Sequence, residues 1–300
     1  MVKKGTKSKK SKPRSKARRK KKEGVLHYIW LGVKYFFLGV GLACYYLFKG
    51  ALLAVNWVID KFKKKSSEST MKKIEKNRPK SNAEYSEFKI VESIDGDFKD
   101  FEKKMLQGKS TIGIILGARG TGKSAVGVKI LENIKAKTHK KIYALGFDRS
   151  TMPKWITVVD NIESVANNSV LLADEGGIQF SSRDSMSDVN KFLSQLLFVA
   201  RHKDMSILFI SQNSSNIEIN TLRQADYLIL KRSSLLQGDF ERKKIKEIYE
   251  GVKGSFKKYK SDKGITYIYS DNYRGFVSTP LPSFWNQDIS KSYKGFSKKK

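Results

Sequence analysis

TIGIILGARGTGKS, residues Thr111–Ser124, joins an apolar run to a glycine-rich loop and so sets the architecture around it. It begins as a short apolar run of strand character, Thr111–Leu116, and breaks into Gly117, Ala118, Arg119, Gly120, Thr121, Gly122, Lys123 and Ser124. Those eight residues satisfy G-x-x-x-x-G-K-[ST]. The glycines permit a tight loop whose backbone N–H groups converge on phosphate oxygens, and the lysine reaches the outer phosphates. A helical pattern over Ala125–Lys135 follows, and its N-terminal dipole favours the same anion. Strand before and helix after are the context that this loop requires.

A triphosphate needs Mg²⁺, and the metal needs a second oxygen ligand beside the Ser124 hydroxyl. Val170–Glu175 (VLLADE) supplies it as an apolar strand ending in two acids. Asp174 is placed to bind the metal and Glu175 to orient or deprotonate the attacking water. Paired acids argue for hydrolysis over transfer to a small molecule, because a kinase would exclude water. ATP and Mg²⁺ are therefore the expected cofactors. Ser206–Ser211 (SILFIS) is a third buried strand, and Gln212 at its tip is placed to sense the γ-phosphate or the lytic water. Arg183, in the loop after the acidic strand, and Arg201, closing an amphipathic helix over Asn190–Ala200, are the two candidates for a finger that neutralises transition-state charge. The residues do not choose between them.

Beyond this loop, apolar runs at Lys141–Phe147, Ser169–Ala173 and Tyr227–Lys231 alternate with longer helical patterns. That alternation predicts an α/β fold, a P-loop (RecA-like) parallel sheet with helices on both faces. A β-rich end is expected at Thr266–Tyr269 and Gly275–Ser278. The aromatics Tyr259, Tyr267, Tyr269, Tyr273 and Phe276 serve either as its core or as a stacking surface for nucleic acid. The divisions that follow are a basic disordered tail (1–24), an apolar anchor (25–60), a charged linker (61–86), the P-loop domain (87–285) and a basic C-terminal tail (286–300).

The formal charge is +31, and residues 1–80 carry 24 Lys/Arg against 4 Asp/Glu, a net of +20. So basic a segment implies an anionic partner, nucleic acid or acidic lipid. Val25–Ile59 is predominantly apolar, interrupted only by Lys34 and Lys49 among charged residues. It exceeds the roughly 20 residues that a spanning helix needs. A single span, a re-entrant hairpin turning near Gly39–Gly41 and a helical pair docked on the catalytic domain all remain open. Membrane association, with the catalytic domain in the cytosol and a virion or host membrane as the site, is the expectation. The lone Cys44 and the scattered His27, His139 and His202 exclude a disulfide framework and a Cys/His metal site.

The order GARGTGKS, LLADEGG, SSRDS and then ARHKDMSILFISQNSSNIEINTLRQADYLIL resembles the FtsK–HerA group of DNA-pumping ATPases. More narrowly, it is similar to zonula occludens toxin-like and viral genome-packaging ATPases. There an Arg-His pair (Arg201-His202) precedes a strand ending in Gln (Gln212), and a further strand opens on Ala-Asp (Ala225-Asp226). The resemblance covers about residues 110–245. It implies that Lys123 and Ser124 bind phosphate and Mg²⁺, that Asp174 and Glu175 serve hydrolysis and that Gln212 is a sensor. It also implies a homo-oligomeric ring acting on DNA. A membrane-bound ATPase acting on virion or membrane proteins during assembly or secretion is the alternative. Glu175 speaks against a third class, a switch that does not turn over.

Overall fold

The computed structural model describes residues 15–175, 186–234 and 240–291. The chain divides into two units, Met1–Met71 and Lys72–Lys300. Helix α1 runs without interruption from Ser15 to Asn77. Of the arrangements left open above, the hairpin turning near Gly39–Gly41 is therefore not formed. The tail and linker are also helical where described, from Ser15 and as far as Asn77. Glycine costs a helix about 1 kcal/mol, too little to break a run flanked by strong formers. Within α1 one stretch is apolar enough to cross a bilayer, with mean hydropathy 1.7, and none of it is buried.

In the second unit the described strands form one sheet in the order β1-β9-β8-β7-β2-β6-β5-β3-β4. They are β1 (Lys89–Gly96), β2 (Ile112–Leu116), β3 (Lys141–Leu145), β4 (Ile156–Val159), β5 (Ser169–Asp174), β6 (Ser206–Ser211), β7 (Tyr227–Leu230), β8 (Ile265–Ser270) and β9 (Tyr273–Ser278). From β7 to β4 every pairing is parallel, while β8, β9 and β1 are added antiparallel. The expected parallel core is present with an antiparallel flank. Strands β1 and β4 were not anticipated, and neither was α2 (Phe98–Gln107).

Strand side chains alternate between faces, and here each face has its own core. Ile112, Ile114 and Leu116 of β2 join Ile207 and Phe209 of β6 on one face. They pack with Leu196 and Ala200 of α4 (Met186–His202) and with Ile248 and Val252 of α5 (Lys243–Lys258). Ile115, Leu208 and Ile210 face the other way, onto Phe101 and Met105 of α2 and onto Val128 and Ile130 of α3 (Lys123–Lys137). Burying each such side chain contributes about 1.5–3 kcal/mol. The helices thus cover both faces of the parallel strands.

Three polar clamps hold the periphery. The buried Arg78 donates from Nε to the Met152 carbonyl at 3.0 Å and from Nη2 to the Pro153 carbonyl at 2.6 Å. Inside α3, Lys129 and Glu132 form a fully buried ion pair at 2.7 Å. Lys129 also donates to Ser86 Oγ at 3.0 Å, and Glu132 accepts the Ser283 N–H at 3.1 Å. The Asp226 carboxylate accepts the Ile112 N–H at 2.8 Å, so the Ala-Asp pair noted in the sequence fixes the start of β2. Tyr267, Tyr273 and Phe276 are buried, with Tyr267 and Phe276 rings 4.9 Å apart. These aromatics of the β-rich end are core.

Candidate functional site

Register decides which side chains meet. Leu116 of β2 lies opposite Ser211 of β6 and Leu230 of β7, and Asp174 of β5 lies opposite Ile210. Parallel strands end together, so the loop after β2, the acids after β5, Gln212 after β6 and Lys231 after β7 collect at one sheet edge. They line a single cavity of about 1270 Å³.

Between β2 and α3 the chain turns through Gly117 (φ 149°) and Gly122 (φ 91°), conformations open to glycine. A side chain at Gly117 would also come within 2.7 Å of Lys231 Cβ. Gly122 ends the loop as the N-cap of α3, so Lys123 and Ser124 are the first residues of that helix. Lys123 is buried and donates to the Gly117 and Ala118 carbonyls at 2.7 and 2.9 Å. Burial lowers its pKa to about 8, against the opposing pull of Asp174 and Glu175. Arg119 and Gly120 are exposed on the lip, and Thr121 closes the turn through a hydrogen bond to the Ala118 carbonyl at 2.7 Å.

The Ser124 hydroxyl donates to Asp174 Oδ2 at 3.4 Å. A hydroxyl and a carboxylate so close, open to a cavity, are the hard oxygen donors Mg²⁺ takes while keeping waters and substrate oxygens. Among the described residues no cluster of three or more His, Cys, Asp or Glu exists that could hold a metal without such help. Glu175 is buried beside them. It accepts the Ser211 hydroxyl, and its Oε1 accepts the Asn216 amide at 2.9 Å.

Lys123, Ser124, Asp174, Glu175 and Gln212 are thus brought to one cavity. Arg201 is not. It sits at the far end of the sheet, before β6 begins, where it donates to Gln224 Oε1 at 3.1 Å. At about 3.3 Å per residue, β6 alone puts it roughly 20 Å from its own phosphate loop. Arg183 lies outside the described residues.

Sequence reasoning missed Ser211 and Asn216, which hold Glu175, and Lys231. Lys231 is buried, its N–H bonds the Leu116 carbonyl at 2.8 Å, and its Nζ donates to the Ile265 carbonyl at 2.6 Å. Burial lowers its pKa to about 8. Its only sequence signal was a cation ending an apolar run.

A loop of this kind between a central parallel strand and a helix, with paired acids two strands away, defines the P-loop α/β class. No family model matches the chain, and no curated protein matches it. Among solved structures, it is similar to the genome packaging NTPase B204 from Sulfolobus turreted icosahedral virus 2 in complex with ATP-gammaS, at 17% identity and a TM-score of 0.39, over 57% of this chain and 97% of that one. It is also similar to B204, the DNA-packaging ATPase from Sulfolobus turreted icosahedral virus, at 17% identity and a TM-score of 0.37, over 58% and 98%. At such identity and overlap the chemistry has to be read from this chain's own cavity.

Proposed function

We propose that the chain is a membrane-anchored, Mg²⁺-dependent ATPase that moves DNA, a viral genome during packaging or extrusion. The observation that carries the ATPase reading is the convergence of Lys123, Ser124, Asp174 and Glu175 on one cavity. Lys123 and the loop amides would hold the phosphates, while Ser124 and Asp174 would hold Mg²⁺, which supplies charge neutralisation on the phosphoryl oxygens. Glu175, fixed by Ser211 and Asn216, would take a proton from water, and Gln212 would sense the γ-phosphate.

DNA as the substrate is supported by the +31 charge and by the FtsK–HerA-like run from Arg201 to Asp226. The exposed apolar surface of α1 supports a bilayer anchor, with the basic N-terminal residues gathering polyanion beside it. Arg201, remote from its own loop, or Arg183 would reach the nucleotide of a neighbouring subunit in a ring.

The test is ATP turnover by the full chain in detergent, with and without double-stranded DNA at low and moderate salt. Turnover should rise with DNA, less so as salt increases, and fall at least 100-fold in Glu175→Gln while nucleotide binding persists. Turnover indifferent to DNA would leave an ATPase acting on protein at the membrane. Full turnover in Glu175→Gln would remove the hydrolytic role of that residue.

A further inference from the structure

The cavity extends well beyond the phosphate loop. Past the acids its wall is made by Phe147 and by the segment after β9, through Thr279, Pro280, Leu281, Trp285 and Gln287. At about 1270 Å³ it exceeds the roughly 300–1,000 Å³ of a pocket for a drug-sized ligand. A triphosphate with its metal leaves most of that space unfilled.

The far wall is anchored on several sides. Thr279 bonds the Gly264 carbonyl through its N–H at 3.1 Å, and Ser283 bonds the buried Glu132 of α3. Phe284 packs edge-on against Trp155, with ring centroids 5.6 Å apart, and Ile289 is buried. Such a wall presents fixed surfaces. Leu281 is 61% exposed, Trp285 is half-buried, and Gln287 is exposed.

Apolar and aromatic surface beside the Gln287 amide suits a flat heteroaromatic ring. Stacking on an aromatic side chain contributes about tenfold or more to the affinity for a base. A Gln amide offers one acceptor and one donor, which match the adjacent donor and acceptor of adenine (N6–H and N7). Guanine places two acceptors, O6 and N7, on that edge.

We propose that residues 279–290 are the base-binding wall of the nucleotide site. Adenine lies against Trp285 and Leu281, and the Gln287 amide selects it over guanine. This rests on the nucleotide reading above and adds to it a specificity determinant that lies outside the loop and acids.

The experiment measures equilibrium binding of ATP, GTP and inorganic tripolyphosphate to the full chain in detergent with Mg²⁺. Tripolyphosphate reports the phosphate site alone. Trp285→Ala should weaken ATP about tenfold and leave tripolyphosphate unchanged. Gln287→Ala should abolish the preference for ATP over GTP, and Lys123→Ala should weaken all three ligands. If Trp285→Ala loses both ATP and tripolyphosphate through misfolding, Gln287→Ala and Leu281→Ser, both on exposed side chains, decide the question. ATP affinity and selectivity unchanged in those two variants would overturn the base wall. Wild-type protein that binds tripolyphosphate as tightly as ATP would overturn it while sparing the phosphate site. Binding of neither ligand would overturn both readings.

Discussion

Helices α1 and α3 invert the usual partition. Trp30, Phe36 and Leu47 of α1 are 62%, 67% and 74% exposed, whereas Lys129 and Glu132 of α3 are 0% exposed. Residue type alone would have placed them the other way round. Each polar group inside α3 has partners, because its neighbours present Ser86, Ser283 and backbone groups in reach. Among the described residues, the apolar side chains of α1 are exposed. Burial follows the partner that is available, and an uncovered surface of this kind calls for an apolar solvent, the physical ground for the bilayer proposed above.

The strongest way to break that contrast is Glu132→Ala. It leaves the Lys129 ammonium buried beside unpaired N–H groups, and the unit should lose about 3–5 kcal/mol in chemical denaturation. Unchanged stability would mean that the pair does not hold α3 in place. On the other helix, Leu42→Arg costs about 2.5–3.5 kcal/mol at the centre of a spanning segment. The share of protein that resists alkaline extraction from membranes should drop; an unaltered share would take Leu42 out of the bilayer.

The smallest expected effect lies at the phosphate end of α3. Lys123 has its pKa lowered to about 8 by burial, with Asp174 and Glu175 opposing the drop. Its cationic form, which holds phosphate, is present below that value and is lost as pH rises through it. Tripolyphosphate affinity should therefore weaken about tenfold per pH unit above pH 8. An affinity constant up to pH 10 would mean that the loop amides alone retain the anion.

The parallel core was legible because β2, β5 and β6 are short apolar runs bounded by turn or charged residues. The loop was legible because its three glycines and its lysine fall at fixed spacing within eight consecutive residues. Strand β1 was not, since KIVESIDG lies on the sheet edge with most side chains exposed and shows no apolar face. The four residues of β4 are too few to carry a period. Asn216 and Ser211 escaped for another reason. Nothing local marks a serine at a strand end, and their meeting with Glu175 depends on the register of β6 against β5. Lys231 reaches the loop in the same way, by lying one strand over from Gly117. Periodicity predicts which residues face a core, whereas juxtaposition across a sheet is known only once strand order is known.

The Glu132 clamp also bears on synthesis. Ser283, which donates to that carboxylate at 3.1 Å, lies 151 residues further along the chain. A polypeptide emerging from the ribosome completes the phosphate loop and its helix well before it makes this partner of Glu132. Until then the Lys129–Glu132 pair lacks the donors that segment brings. A chain stopped before Ser283 would carry the whole loop motif without that partner for Glu132.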